Sequence, residues 1–161
     1  MLIHGTDMLP ARVQQLIELA ATEAALRADF LVAKGPGVGD RSTSEFMAAL
    51  KRKAESLFGP DVAEREVVKR AGVRVDYWFE PEATIIEIAL GLKNPLSEFE
   101  RDVLKAVVAR HEGRAVTHLV LVGKPGAVKR ATSPWYQRVI EWAKSQGVEV
   151  TIADLPSNAA A

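Results

Sequence analysis

Two acids stand near the middle of the chain. Asp76 lies in Val73-Arg74-Val75-Asp76-Tyr77-Trp78-Phe79, and Glu87 in Thr84-Ile85-Ile86-Glu87-Ile88-Ala89-Leu90. Both stretches are rich in β-branched and aromatic residues, and Glu80-Pro81-Glu82-Ala83 between them reads as a turn. Alternate residues of a strand share a face, which groups Asp76 with Arg74 and Trp78, and Glu87 with Ile85 and Ala89. If Phe79 pairs with Thr84, Asp76 falls directly opposite Glu87, with Cβ atoms about 5 Å apart. Two carboxylates that close, among isoleucines, either take up a proton or take a cation between them. A hard divalent ion is the natural occupant, because magnesium is usually held by one or two carboxylates plus waters and substrate phosphate. Simpler pairings compete: Asp76 with Arg74, Lys69 or Arg70, and Glu87 with a lysine on a helix. A slip of one residue in the turn would separate the two faces altogether.

The elements that must position this pair follow from periodicity. Leu9 to about Lys34 carries a helical stripe through Val13, Leu16, Ile17, Ala20, Ala24 and Leu31, with Pro10 in its first turn. Gly35-Pro36-Gly37-Val38-Gly39-Asp40 is a loop by composition. Ser42-Thr43-Ser44-Glu45 is a capping box for a second helix that turns Phe46, Leu50, Leu57 and Phe58 inward and stops at Gly59-Pro60. Three strands follow as an antiparallel meander: Glu66 to Arg70, Val73 to Phe79 and Thr84 to Leu90. Ser97-Glu98-Phe99-Glu100 is a second capping box, opening a helix that runs to about His111. Val116 to Val122 is apolar on both faces, as a central strand should be. Gly123 to Thr132 is a loop, Ser133-Pro134 starts a last helix that Gly147 ends, and Val148 to Ala153 is the final strand. The expected fold is one α/β domain over residues 1–156, a mixed sheet built from the meander and a β-α-β-α-β tail with helices on both faces. Residues 157–161 are expected to be a disordered tail.

This order of elements, with the two acids, resembles the PD-(D/E)XK restriction-endonuclease-like superfamily over roughly Ser42 to Val122. Members share a helix, a three-stranded meander, a helix and a further strand. An acid on one hairpin strand and an acid-x-lysine element on the next hold magnesium. Asp76 matches the first acid and Glu87 the second. The resemblance implies a magnesium-dependent nuclease acting on DNA or another nucleic acid. This sequence departs from the pattern at Ala89, two residues after Glu87, where the family normally has the lysine that orients the attacking water and stabilises charge on the phosphate. Since the family relocates residues of its site, Lys93, just past the strand, and Lys105, on the following helix, are candidates for the missing lysine. Glu98, Glu100 and Arg101 are further polar residues within reach.

Composition bounds the rest. Lysine plus arginine equals aspartate plus glutamate at 21 each, which counts against strong autonomous DNA binding without excluding a local basic patch. With no cysteine, disulfides and thiolate chemistry are excluded, and a reducing, cytoplasmic setting is expected. No signal peptide and no apolar run of membrane-spanning length is read. The loop Gly123-Lys124-Pro125-Gly126-Ala127-Val128-Lys129-Arg130 does not match a phosphate-binding P-loop, and Pro125 removes a backbone donor. Lys124, Lys129 and Arg130 in it could touch a nucleic-acid backbone, with Arg138 nearby. Lys51-Arg52-Lys53 reads as a solvated helix face that could contact phosphate if it borders the site. His4, His111 and His118 show no ligand spacing. Trp135, Val139 and Trp142 share a helical face that suits a core, or a homodimer contact. The alternative to a nuclease is therefore a catalytically inactive binding or assembly module on the same fold.

Overall fold

The computed structural model describes residues 3–4, 9–27, 31, 40–69, 71–90 and 94–156, with backbone alone at 3–4 and 40. Its helices are α1 (Ala11–Ala25), α2 (Asp40–Phe58), α3 (Pro95–His111), α4 (Ala127–Ala131) and α5 (Pro134–Ser145). Its strands are β1 (Ile3–His4), β2 (Ala63–Val68), β3 (Val73–Phe79), β4 (Thr84–Glu87), β5 (His118–Gly123) and β6 (Glu149–Asp154). They form one mixed open sheet in the order β1-β6-β5-β4-β3-β2, with β1 only two residues long. The meander β2-β3-β4 is antiparallel, β4, β5 and β6 run parallel, and β1 pairs antiparallel to β6.

Two apolar layers close the sheet. On one side α1 and α2 bring Leu16, Ile17, Phe46 and Leu50 onto Tyr77, Phe79, Ile86, Val120 and Val122. On the other, α3, α4 and α5 bring Phe99, Val103, Ala106, Ala131 and Ala143 onto Trp78, Ile85, Leu119, Leu121, Val150 and Ile152. The central strand β5 is buried along nearly its whole length because its successive residues feed both layers, as its apolar run requires.

Several boundaries differ from the sequence reading for local reasons. Asn94, not Ser97, caps α3: its Oδ1 accepts from Ser97 N at 3.3 Å and Pro95 fills the first helical position. Asparagine is among the best N-caps, and proline's missing N–H costs nothing there. α2 already includes Asp40, so Ser42 to Glu45 lie inside the helix, where Arg41 and Glu45 pair at 2.9 Å. Leu57 is exposed rather than inward, while Phe58 packs edge-on against Phe79. On α5 the inward residues are Tyr136, Val139, Ile140 and Ala143; Trp135 and Trp142 are exposed, 54% and 43%. β2 begins three residues earlier than expected and β4 stops at Glu87. The expected tail 157–161 and helix residues 28–30 and 32–34 lie outside the described residues.

Candidate functional site

The hairpin register is the one that opposes the acids. Phe79 pairs with Thr84, Trp78 with Ile85 and Tyr77 with Ile86, which brings Asp76 opposite Glu87. Regular pairing stops at Tyr77 and Ile86, and the two side chains take over the freed backbone donors. Asp76 N donates to Glu87 Oε2 at 3.0 Å, and Ile88 N donates to Asp76 Oδ2 at 2.8 Å. Each carboxylate thus fastens the other's strand, meeting in the gap where the ladder ends.

Asp76 does not share a face with Trp78, contrary to simple alternation. Val73, Val75 and Trp78 all pack on the α3 side, so the parity of β3 changes between Val75 and Trp78. The neighbouring strand is irregular at the same level, since Glu64, between the partners of Val75 and Tyr77, has φ 50°; nearer the β2–β3 turn the register also shifts between Glu66 and Val68. Such irregularities bend a strand and re-aim its side chains. Asp76 consequently lines a cavity of about 350 Å³ on the α2 side with Ser44, Met47, Ala48, Lys51, Ala63, Glu64 and Tyr77.

Glu87 keeps its expected face and reaches α3. Lys105 Nζ lies 2.7 Å from Glu87 Oε1 and 2.9 Å from Asp102 Oδ1. Arg101 adds a longer, exposed contact to Asp102 at 3.4 Å. Glu87 and Asp102 are each only 3% exposed. Two carboxylates, Glu87 and Asp102, therefore share one ammonium, and Asp76 adjoins Glu87. Burial, then the charges of Asp76 and Asp102, push the Glu87 carboxyl up to about 8, against the pull of Lys105. Burial also raises Asp76, opposed by its Ile88 hydrogen bond. Burial alone would lower Lys105, yet Glu87 and Asp102 together raise it, so it stays charged.

Of the candidate lysines, Lys105 joins the acids and Lys93 lies outside the described residues. Ala89 lines a small cavity with Phe99, Leu121, Gly123, Arg130 and Tyr136, where the rings of Phe99 and Tyr136 stack. Glycine at 123 is what lets Ala127 pack so close there, since a Cβ at 123 would overlap it. Lys124 follows β5 in a short turn, whereas Lys129 and Arg130 lie on α4 and not in the loop expected over Gly123 to Thr132; this segment, at the strand ends where Ala89 emerges, is tied down by Asp154. The Asp154 carboxylate accepts from Gly126 N at 3.0 Å and Val128 N at 2.9 Å. Lys129 is exposed on it. Glu100 is turned away to Trp135, whose Nε1 donates to it at 2.6 Å.

Asp102 is the member that sequence reasoning missed. Its signal was present: on α3 it falls within the inward stripe of Phe99, Val103 and Ala106, an acid where an apolar residue is expected, three positions before a lysine. His111 and His118 bond to Gln146 and Thr151, away from the acids.

The donor chemistry suits magnesium, being oxygen only. Among the described residues, however, no three aspartate, glutamate, histidine or cysteine side chains converge to cage an ion by themselves. Two carboxylates alone would leave the remaining positions of such an ion to water and substrate. Among the described residues no helix is long and apolar enough to cross a membrane. Compared with known proteins, the chain matches no family model, no curated protein and no solved structure. What fold and site define together is a single α/β domain carrying an acid-rich charged cluster at the open end of a hairpin.

Proposed function

We propose that the protein is a magnesium-dependent phosphodiesterase of restriction-endonuclease-like fold, acting on DNA or another nucleic acid. The observation that carries this reading is the meeting of Asp76 and Glu87 where β3 and β4 part, with Glu87 sharing its one lysine with Asp102. A buried excess of negative charge is costly unless neutralised by protons or a cation. The order α2, β2-β3-β4, α3, β5 is also the order that the resemblance calls for. Asp76 and Glu87 would hold the ion. Bound there, magnesium supplies a Lewis acid for the scissile phosphate and lowers the pKa of the attacking water. Lys105 acts as a positioning residue, holding Glu87 Oε1 and thereby leaving Oε2 directed at the gap. Lys124, in the turn after β5, and Lys129 and Arg130, on α4, would contact the nucleic-acid backbone.

A second reading has its own support. Lys105 already neutralises part of the cluster and position 89 carries no lysine, which suits a catalytically inactive binding or assembly module. The exposed Trp135 and Trp142 on α5 suit a homodimer contact in that case.

Nicking of supercoiled plasmid in magnesium separates the two. Wild type should nick, and Asp76→Asn and Glu87→Gln should each lose about 100-fold or more, a typical loss when a charge-stabilising group is removed. A wild type without activity in magnesium or manganese, or a Glu87→Gln variant at full activity, would reject the catalytic reading.

A further inference from the structure

Building on the phosphodiesterase reading, we propose that Lys51 of α2 is the lysine that meets the substrate phosphate, and that the cavity it shares with Asp76 is where one phosphodiester unit docks.

The other lysine in contact with the acids is already committed. Lys105 is only 19% exposed and bridges Glu87 and Asp102 at 2.7 and 2.9 Å. Turning it toward a substrate would leave two buried carboxylates without their cation, which is strongly unfavourable. Lys51 is in the opposite position. It is 38% exposed and pairs with Glu64 and, at 3.9 Å, with Glu55. Both partners stand at the surface side of α2 and β2, and exposed ion pairs are weak enough to be exchanged for a phosphate. The pair with Glu64 depends on the same irregularity in β2 that breaks its alternation, since Glu64 itself carries φ 50°.

The cavity has the composition such a substrate needs. Asp76 contributes the acid on one wall, Lys51 and Glu64 the charged pair on another, and Met47, Ala48, Ala63 and Tyr77 the apolar lining. Its volume, about 350 Å³, lies at the small end of ligand sites and suits a single unit of a chain rather than a whole duplex. The charged groups acting on Lys51 are Glu64, Glu55 and Arg74. Arg74 is near enough to act on Lys51 but lines the groove beside α3 with Arg101 and Lys105, so Lys51 is the cation of this cavity. The rest of the basic run does not compete: Lys53 is held by Glu23, and Arg52 faces solvent. A phosphate in this cavity would lie between Lys51 and whatever cation Asp76 holds, with positive charge on two sides.

The experiment compares wild type with Lys51→Met, Lys51→Arg and, as a remote control, Lys144→Met. Three readouts are taken on each: the magnesium-induced rise in melting temperature, plasmid nicking in magnesium, and anisotropy of a fluorescein-labelled oligothymidylate in calcium. Lys51→Met should keep the magnesium-induced rise, lose about 100-fold in nicking and bind the oligonucleotide several-fold more weakly. Lys51→Arg should recover part of both losses, and Lys144→Met should match wild type. If wild type responds to magnesium and nicks while Lys51→Met nicks equally well, the assignment of Lys51 is wrong and the cation site stands. If wild type responds to magnesium without nicking, the oligonucleotide decides: weaker binding by Lys51→Met supports docking in the cavity, and unchanged binding overturns it. If wild type shows neither a magnesium response nor nicking, the phosphodiesterase reading fails and this inference falls with it.

Discussion

Two glutamates of this protein are almost completely hidden from solvent, Glu23 at 1% and Glu87 at 3% exposure, and each meets a lysine from a neighbouring helix. Their electrostatics are nevertheless opposite. Glu23 on α1 has two cations to itself, Lys53 from α2 and Arg27, just past the end of α1, at 2.5 Å. Burial would raise its carboxyl, but Lys53 and Arg27 outweigh that and hold it below the usual range. Glu87 shares its single lysine with Asp102 and lies against Asp76, so its carboxyl rises to about 8. One cluster has closed its own charge balance and ties α1 to α2. The other is left with surplus acid at the open end of a hairpin. That imbalance, more than burial itself, makes the second the candidate site and leaves the first a structural tie.

The comparison can be broken at its lysines. Lys105→Met should cost about 3–5 kcal/mol at pH 8, because it strands two buried carboxylates, and less at pH 5, where protons replace the lost cation. Lys53→Met should cost under about 1 kcal/mol, since Lys53 is half exposed and Arg27 remains on Glu23. Urea denaturation at both pH values measures the two. Equal costs would mean that the clusters do not differ as described.

Neutralising the glutamates should give effects of opposite sign. Glu23→Gln removes the one acid between two cations and should destabilise by about 1–2 kcal/mol. Glu87→Gln relieves repulsion with Asp76 and Asp102 and should leave the cation-free protein at pH 8 as stable as wild type, or more stable by up to about 1 kcal/mol. Thermal melts of both variants in chelator check this.

The pH dependence sharpens the same contrast. Glu87 titrates higher folded than unfolded, so its contribution is complete below its ordinary 4.5 and is lost as pH rises toward about 8. Glu23 titrates lower folded than unfolded, so its contribution is present above 4.5 and disappears only as the solution becomes more acidic. Cation-free wild type should lose stability between pH 4.5 and 8, and Glu87→Gln should flatten that decline while Glu23→Gln leaves it in place.

Much of this arrangement was legible before any coordinates, and the reasons are physical. The opposition of Asp76 and Glu87 follows from a short turn and the count of residues on either side, because pairing in a hairpin propagates from its loop. The four longer helices followed from apolar stripes, and the mixed sheet from a meander followed by apolar strands between helices; α4, five residues long, was hidden in what reads as a loop. Lys105 was reachable because α3 must lie against the strand that precedes it. The fate of Asp76 was not legible: a parity change in β3 comes from a distortion shared with β2, and no residue pattern in Val73 to Phe79 announces it. The exposure of Trp135 and Trp142 was also hidden, because α5 has two adjoining stripes and only packing chooses Tyr136 and Ile140 over the tryptophans. β1 is too short to carry any periodicity.

The central claim is that surplus acid between β3 and β4 is a seat for a divalent ion. Calorimetric titration of manganese into the protein at pH 8, repeated in buffers of different ionisation enthalpy, tests it directly. The account predicts one ion per chain in wild type and in Glu23→Gln, protons released on binding as Glu87 gives up its share, and no binding in Asp76→Asn. Wild type that takes no ion, or Asp76→Asn that takes it equally well, would contradict it.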